Sequence, residues 1–106
     1  MSHRLPHRVA PSPIHGKGLF ATRTIEPGEW LGTYQGPRAR RNGTHVLWVY
    51  HENGEVEGRS GRNKLRYLNH SRSPNAAFDG FELYAITTIA AGEEITIDYQ
   101  YDPSEE

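Results

Sequence analysis

A-I-T-T-I-A-A-G-E-E-I-T-I-D-Y, residues 85–99, reads as a short strand, a tight turn ending at Gly92 and a second strand of alternating and β-branched residues. The chain carries an earlier version of it. A-T-R-T-I-E-P-G-E-W-L-G-T-Y, residues 21–34, repeats Ala, Thr, Ile, Gly and Glu at a constant offset and turns at Gly28. Glycine at each turn supplies the positive φ that such a reversal often needs. Two like hairpins far apart in sequence predict pseudo-symmetric halves of one β fold.

The segments between them point the same way. V-L-W-V-Y (46–50) is β-branched and aromatic, and H-E-N-G-E-V-E (51–57) holds an Asn-Gly turn, which predicts a third hairpin. F-E-L-Y-A-I (81–86) predicts a further strand entered through Asp79-Gly80, and N-K-L-R-Y-L (63–68) has room for one helical turn or two. No segment has a helical pattern long enough for a bundle or a βαβ unit. The expected class is mainly β, with small sheets and very little helix. Residues 1–13 hold three prolines and no periodicity and are expected as an extended lead-in; 14–102 form the domain and 103–106 a short acidic tail.

Composition narrows the function. With 106 residues the chain is one domain, and with 11 Gly and 7 Pro it has much turn chemistry for its length. The absence of cysteine excludes disulfides, thiolate catalysis and Cys-based zinc sites. A net charge of −1 argues against general nucleic-acid binding, and the basic charge is nearly all arginine, Lys17 and Lys64 being the two lysines. No apolar run approaches the roughly 18 residues of a membrane span and the start lacks a signal-peptide core, so the expectation is a soluble, intracellular protein.

R-Y-L-N-H-S-R-S-P-N-A-A-F (66–78) crowds two asparagines, a histidine and two serines between apolar flanks, and buried unpaired polar groups are costly. It is either an exposed loop or a binding segment. Gly16-Lys17-Gly18 alone reads as a glycine turn, lacking the third glycine and helix of a dinucleotide site. The six histidines are scattered along a chain without cysteine, and no metal is expected. Arg38, Arg40 and Arg41 read as a solvated loop, and Tyr99 and Tyr101 as an aromatic pair at the end of a strand.

Taken in order, G-K-G-L-F, G-T-Y-Q-G, R-Y-L-N-H-S-R-S-P-N and G-E-E-I-T-I-D-Y resemble the SET-domain protein-lysine methyltransferases, from about Ile14 to Asp102. The resemblance implies a β-clip-like fold of small sheets in which the N-H-S stretch and the C-terminal segment thread past each other as a pseudoknot. It implies methyl transfer from S-adenosylmethionine to the side-chain amine of a lysine in a protein, with no metal. By the same resemblance Gly16, Lys17, Gly18, Arg66, Asn69 and His70 contact the cofactor, and His45 falls near a further cofactor position. Tyr99 matches the catalytic tyrosine beside the transferring methyl. Tyr34 lines the lysine channel, Tyr84 or Tyr101 adds a wall, and Ile97 stands where relatives carry an aromatic residue linked to the number of methyl groups added.

The chain departs from the family in its closing element. Arg72 stands where many relatives have a cysteine of a C-terminal zinc-bound lid, and seven residues follow Tyr99. A homodimer partner, the tail folding over on binding, or an open pocket are the alternatives for that wall. Pro37 stands where relatives often have Glu, which removes a backbone donor from that edge. The competing expectation is a silent module that binds S-adenosylmethionine or a peptide without turnover. The compact chain resembles minimal bacterial or viral forms, cytoplasmic in the first case and in a host compartment in the second.

Overall fold

The computed structural model describes residues 5–43 and 45–98; Tyr99, Tyr101 and the tail 103–106 lie outside them. Among the described residues the chain forms ten short strands and one 3-10 turn, Lys64–Tyr67. Strands β1 (His7–Pro11), β2 (Lys17–Ala21), β10 (Glu94–Ile97) and β7 (Asn69–His70) make a four-stranded sheet in that order. A second sheet has the order β3 (Trp30–Thr33), β9 (Glu82–Ala85), β8 (Ala76–Asp79). The third has the order β4 (Arg38–Ala39), β6 (Val56–Ser60), β5 (Val46–Tyr50). The β5–β6 and β8–β9 hairpins fall where their turn residues predict, with Gly54 at φ 87° and Gly80 at φ 61°.

The repeated segments are pseudo-symmetric, but they are not hairpins. The strands flanking Gly28 separate into two sheets, as do those flanking Gly92: β2 pairs antiparallel with β10, and β3 with β9. Each copy therefore pairs with the other. Ile25 and Ile89 exchange both backbone hydrogen bonds, at 2.8 and 2.9 Å. Gly28 donates to Ala85 as Gly92 donates to Ala21, and Ala85 donates to Glu29 as Ala21 donates to Glu93. Each of these residues has its counterpart 64 positions on. Burial selects this pairing, since Ile25 and Ile89 are fully buried and reach the core only if the segments cross face to face.

The lead-in belongs in part to the sheet. Residues His7–Pro11 pair along all of β2, and Pro6 and His7 are buried. Two long-range bonds hold the segment: His7 Nε2 donates to the Leu31 carbonyl at 2.7 Å, and Lys64 Nζ donates to the His7 carbonyl at 2.8 Å. Flanking prolines hid a strand that its local partner β2 pairs along its whole length. The core is a single cluster in which Leu19, Ile25, Leu31, Leu65, Leu83, Ile89 and Ile95 are fully buried, each contributing about 1.5–3 kcal/mol.

Strand β10 is the centre of the fold. It lies between β2, antiparallel, and β7, parallel, with Thr96 opposite Asn69 and Ile97 opposite His70. Asn75 ties the other side of this crossing. Its Oδ1 accepts from the Thr96 amide at 2.9 Å and its Nδ2 donates to the Glu94 carbonyl at 2.8 Å, so one side chain replaces a strand partner.

Candidate functional site

The pairing of β7 with β10 delivers Asn69, a buried residue, beneath the loop that joins β1 to β2. That loop is closed by the Ser12 amide donating to the Gly16 carbonyl at 2.8 Å, with Gly16 at φ 45°. Asn69 Nδ2 faces four acceptors: Glu94 Oε2 at 2.8 Å, Ser12 Oγ at 3.1 Å, and the His15 and Lys17 carbonyls, each at 3.2 Å. Ser12 Oγ donates in turn to the Glu94 carboxylate, 2.7 and 2.9 Å from its two oxygens. Among the described residues Asn69 Oδ1 accepts no hydrogen bond, so the outward end of this amide is an acceptor.

Gly18 makes room for a part-buried contact. A Cβ there would lie 2.9 Å from Glu94 Cδ and 3.0 Å from Ser12 Cβ, so the missing side chain makes room for the carboxylate. Around Gly16 a Cβ would meet no protein atom within 4 Å, and its φ of 45° favours glycine.

A few residues upstream of Asn69, the 3-10 turn sets Arg66 on the wall of a cavity of about 550 Å³. Gly43, His45, Val46, Ser60, Gly61 and Arg62 complete its lining. Such a volume lies within the roughly 300–1,000 Å³ of small-molecule sites. The guanidinium is held in place: Nη1 donates to the Arg62 and Asn63 carbonyls at 2.6 and 3.0 Å, and Nη2 to Tyr67 Oη at 2.8 Å. Of five N–H donors this leaves the Nε proton and one on Nη2. His45 is exposed, and its ring stands 6.3 Å from that of Tyr67.

The structure gathers Arg66 and His45 at one cavity, and Asn69, Lys17 and Gly18 where the β1–β2 loop enters β2. His70 follows on β7, its Nδ1 3.7 Å from Asp98 Oδ1, a separation that fits an ion pair rather than a hydrogen bond. Tyr34 is buried, meets the Phe78 ring edge-on at 5.7 Å between centroids and donates its hydroxyl to the His45 carbonyl at 2.5 Å. Ile97 is buried in β10. Tyr84 is not brought to Tyr34: in β9 it alternates with the buried Leu83 and Ala85 and stands opposite Trp30, on the outer face of its sheet. Arg72 is exposed.

Sequence reasoning missed Ser12 and Glu94. Glu94 occupies the position of Trp30 in the earlier copy, where a carboxylate replaces an aromatic side chain.

Comparison with known proteins agrees with this architecture. A sequence model of the SET domain matches residues 16–100, and the chain belongs to the SET-domain family. Among curated relatives, the histone-lysine N-methyltransferase MEDEA of Arabidopsis thaliana is 30% identical over 115 aligned residues, covering 90% of this chain and 17% of that protein. The H3 lysine-4 specific histone-lysine N-methyltransferase of Aspergillus fumigatus is 28% identical, covering 92% of this chain and 10% of that protein. The chain thus spans less than a fifth of the length of these relatives. The methyltransferase domain of human PR domain-containing protein 2 has the same fold, with a TM-score of 0.71 at 22% identity over 94% of this chain and 80% of that one. A humanized mutant of the Chaetomium thermophilum Polycomb Repressive Complex 2, bound to the inhibitor GSK126, gives 0.70 at 26% identity over 87% of this chain and 14% of that one.

Proposed function

We propose that the chain is a protein-lysine methyltransferase that uses S-adenosylmethionine. The observations that carry this reading are the acceptor end of Asn69 at the β1–β2 loop and, three residues upstream, Arg66 on the wall of a basic cavity with His45. The pair suits a zwitterionic amino acid head, with Asn69 Oδ1 accepting from its ammonium and the two unused Arg66 donors meeting its carboxylate. The volume beside them suits a nucleoside. When bound, the cofactor supplies an electrophilic methyl group.

The remaining chemistry is alignment, and the chain's own residues provide it. The β1–β2 loop, held by Asn69 and Ser12, fixes the cofactor's amino acid end, while Tyr34 is anchored through the His45 carbonyl at the cavity wall. The target lysine has to be neutral to react, against an unperturbed pKa of about 10.4. Enclosure by aromatic side chains and a nearby positive charge both favour the neutral amine. Tyr99, by its match to the family motif, is the residue proposed to hold the methyl group through weak oxygen contacts. The named relatives are histone-lysine methyltransferases, which points to a basic protein segment as substrate.

Incubation with labelled S-adenosylmethionine and basic proteins tests the proposal. Label is expected on lysine and is lost in Tyr99→Phe. Cofactor binding with no transfer to any lysine substrate refutes it in favour of a silent binding module.

A further inference from the structure

We infer that Glu94, acting on Asn69 directly and through Ser12, is the positioning residue that decides which end of the Asn69 amide faces the cofactor. The inference rests on the methyltransferase reading for its ligand, though not for its geometry.

The oxygen and nitrogen ends of an asparagine amide are nearly the same size, so shape alone does not choose between them. Here charge does. An ionised Glu94 is an acceptor only, and it lies within 2.9 Å of Ser12 Oγ and 2.8 Å of Asn69 Nδ2. The Ser12 hydroxyl must therefore point its one proton at Glu94. Its lone pairs are left for the Ile14 amide, at 3.0 Å, and for Asn69, at 3.1 Å. Two backbone carbonyls complete the set, so the whole environment of the inward end accepts. Turning the amide over would set Oδ1 against a carboxylate, a committed hydroxyl and two carbonyls. Glu94 thus imposes one polarity on Ser12 and Asn69 together, and the consequence at the surface is an acceptor. Gly18 is part of the device, because any side chain there would displace the carboxylate.

The polarity matters to the ligand. An outward Oδ1 attracts an ammonium, whereas an outward Nδ2 would repel it and prefer a carboxylate. Glu94 contacts no ligand in this scheme; it selects for the α-amino group at one remove.

The test compares S-adenosylhomocysteine with its analogue lacking the α-amino group, by calorimetry, on the wild-type protein and on Glu94→Gln. A glutamine can donate to Ser12 and so releases the amide. Glu94→Gln is expected to weaken S-adenosylhomocysteine by about tenfold, the loss of one charge-assisted bond. Binding of the deaminated analogue is expected to stay within about twofold of wild type. Equal losses for both ligands, or none for either, overturn the inference. Ser12→Ala, which keeps the charge and removes the relay, is expected to shift the same ratio less, and it serves if Glu94→Gln does not fold.

A measurement without ligand separates this inference from the function it rests on. The Asn69 side-chain amide protons, assigned by their loss in Asn69→Ala, are expected to exchange slowly with solvent in the free wild-type protein and faster in Glu94→Gln. If the protein binds neither nucleoside, the methyltransferase reading fails, and the exchange rates alone decide the lock. Rapid exchange in the wild type refutes it.

Discussion

Replacing Asn75 by alanine should unfasten the crossing that builds the site. The side chain is buried and serves two backbone groups of β10, accepting from the Thr96 amide at 2.9 Å and donating to the Glu94 carbonyl at 2.8 Å. Alanine leaves the Thr96 N–H without a partner in the interior and the Glu94 carbonyl without one at its edge. An orphaned buried polar group costs about 1–3 kcal/mol, so the expected loss is about 2–4 kcal/mol. A domain of this size has a stability of about 5–15 kcal/mol, so the loss is a large share. In urea, where small proteins lose about 1–3 kcal/mol per molar, the midpoint should fall by roughly 1–2 M with little change in slope. Asn75→Asp sharpens the test. It keeps the acceptor for Thr96 but turns a carboxylate toward the Glu94 carbonyl and toward Glu93, whose Oε2 lies 3.2 Å from Nδ2, so it should be no better than alanine. A loss below about 0.5 kcal/mol for Asn75→Ala, or an aspartate variant as stable as wild type, would refute the claim that this side chain stands in for a strand.

Three further outcomes are expected. Gly61→Ala places a Cβ 2.5 Å from Tyr34 Cζ; overpacking of about 1–3 kcal/mol should lower the melting temperature by at least about 5 °C, and an unchanged melt would count against the packing described. Tyr34→Phe removes the hydroxyl bond to the His45 carbonyl, which keeps its bond from the Gly61 amide at 2.7 Å, so chemical denaturation should show a loss of only about 1 kcal/mol; more than about 3 kcal/mol would mean the hydroxyl has another buried role. His7 is held below the ordinary histidine pKa, chiefly by burial and further by the Lys64 ammonium, against the opposing pull of its bond to Leu31. The folded state therefore prefers the neutral ring, and the unfolded chain binds more protons below about pH 6.5. Stability should fall as pH drops from about 6.5 toward the lowered folded value and level off below it, a slope that His7→Gln removes; equal slopes in the two proteins would contradict the assignment.

The residues show how far sequence carried the reading. Asn-Gly at 53–54, Asp-Gly at 79–80 and the alternation around them specify two hairpins through local turn chemistry, and both are present. The echo between 21–34 and 85–99 is equally local, but its pairing is not. Strand, turn and strand fit a hairpin as well as a crossed pair, and only the burial of Ile25 against Ile89 separates them. Strand β1 was illegible for a different reason: its partner β2 is local, but the prolines at 6 and 11 mask the strand pattern, and Leu31 and Lys64 fasten only its first residue.

By itself, the sequence determined the class of fold, the turns at Gly28, Gly54, Gly80 and Gly92, the family and the ordered motifs that nominate Asn69, Arg66 and the Gly16–Gly18 segment, because these follow from residue type at fixed spacing. The tertiary structure alone decided that β10 lies between β2 and β7, that Tyr84 faces away from Tyr34, and that Asn69 turns its oxygen outward. The physical reason is the same in each case. Which edge a strand pairs with, and which end of an amide is exposed, depends on partners 25 to 82 residues distant along the chain, whose charge and burial act only after the fold has closed.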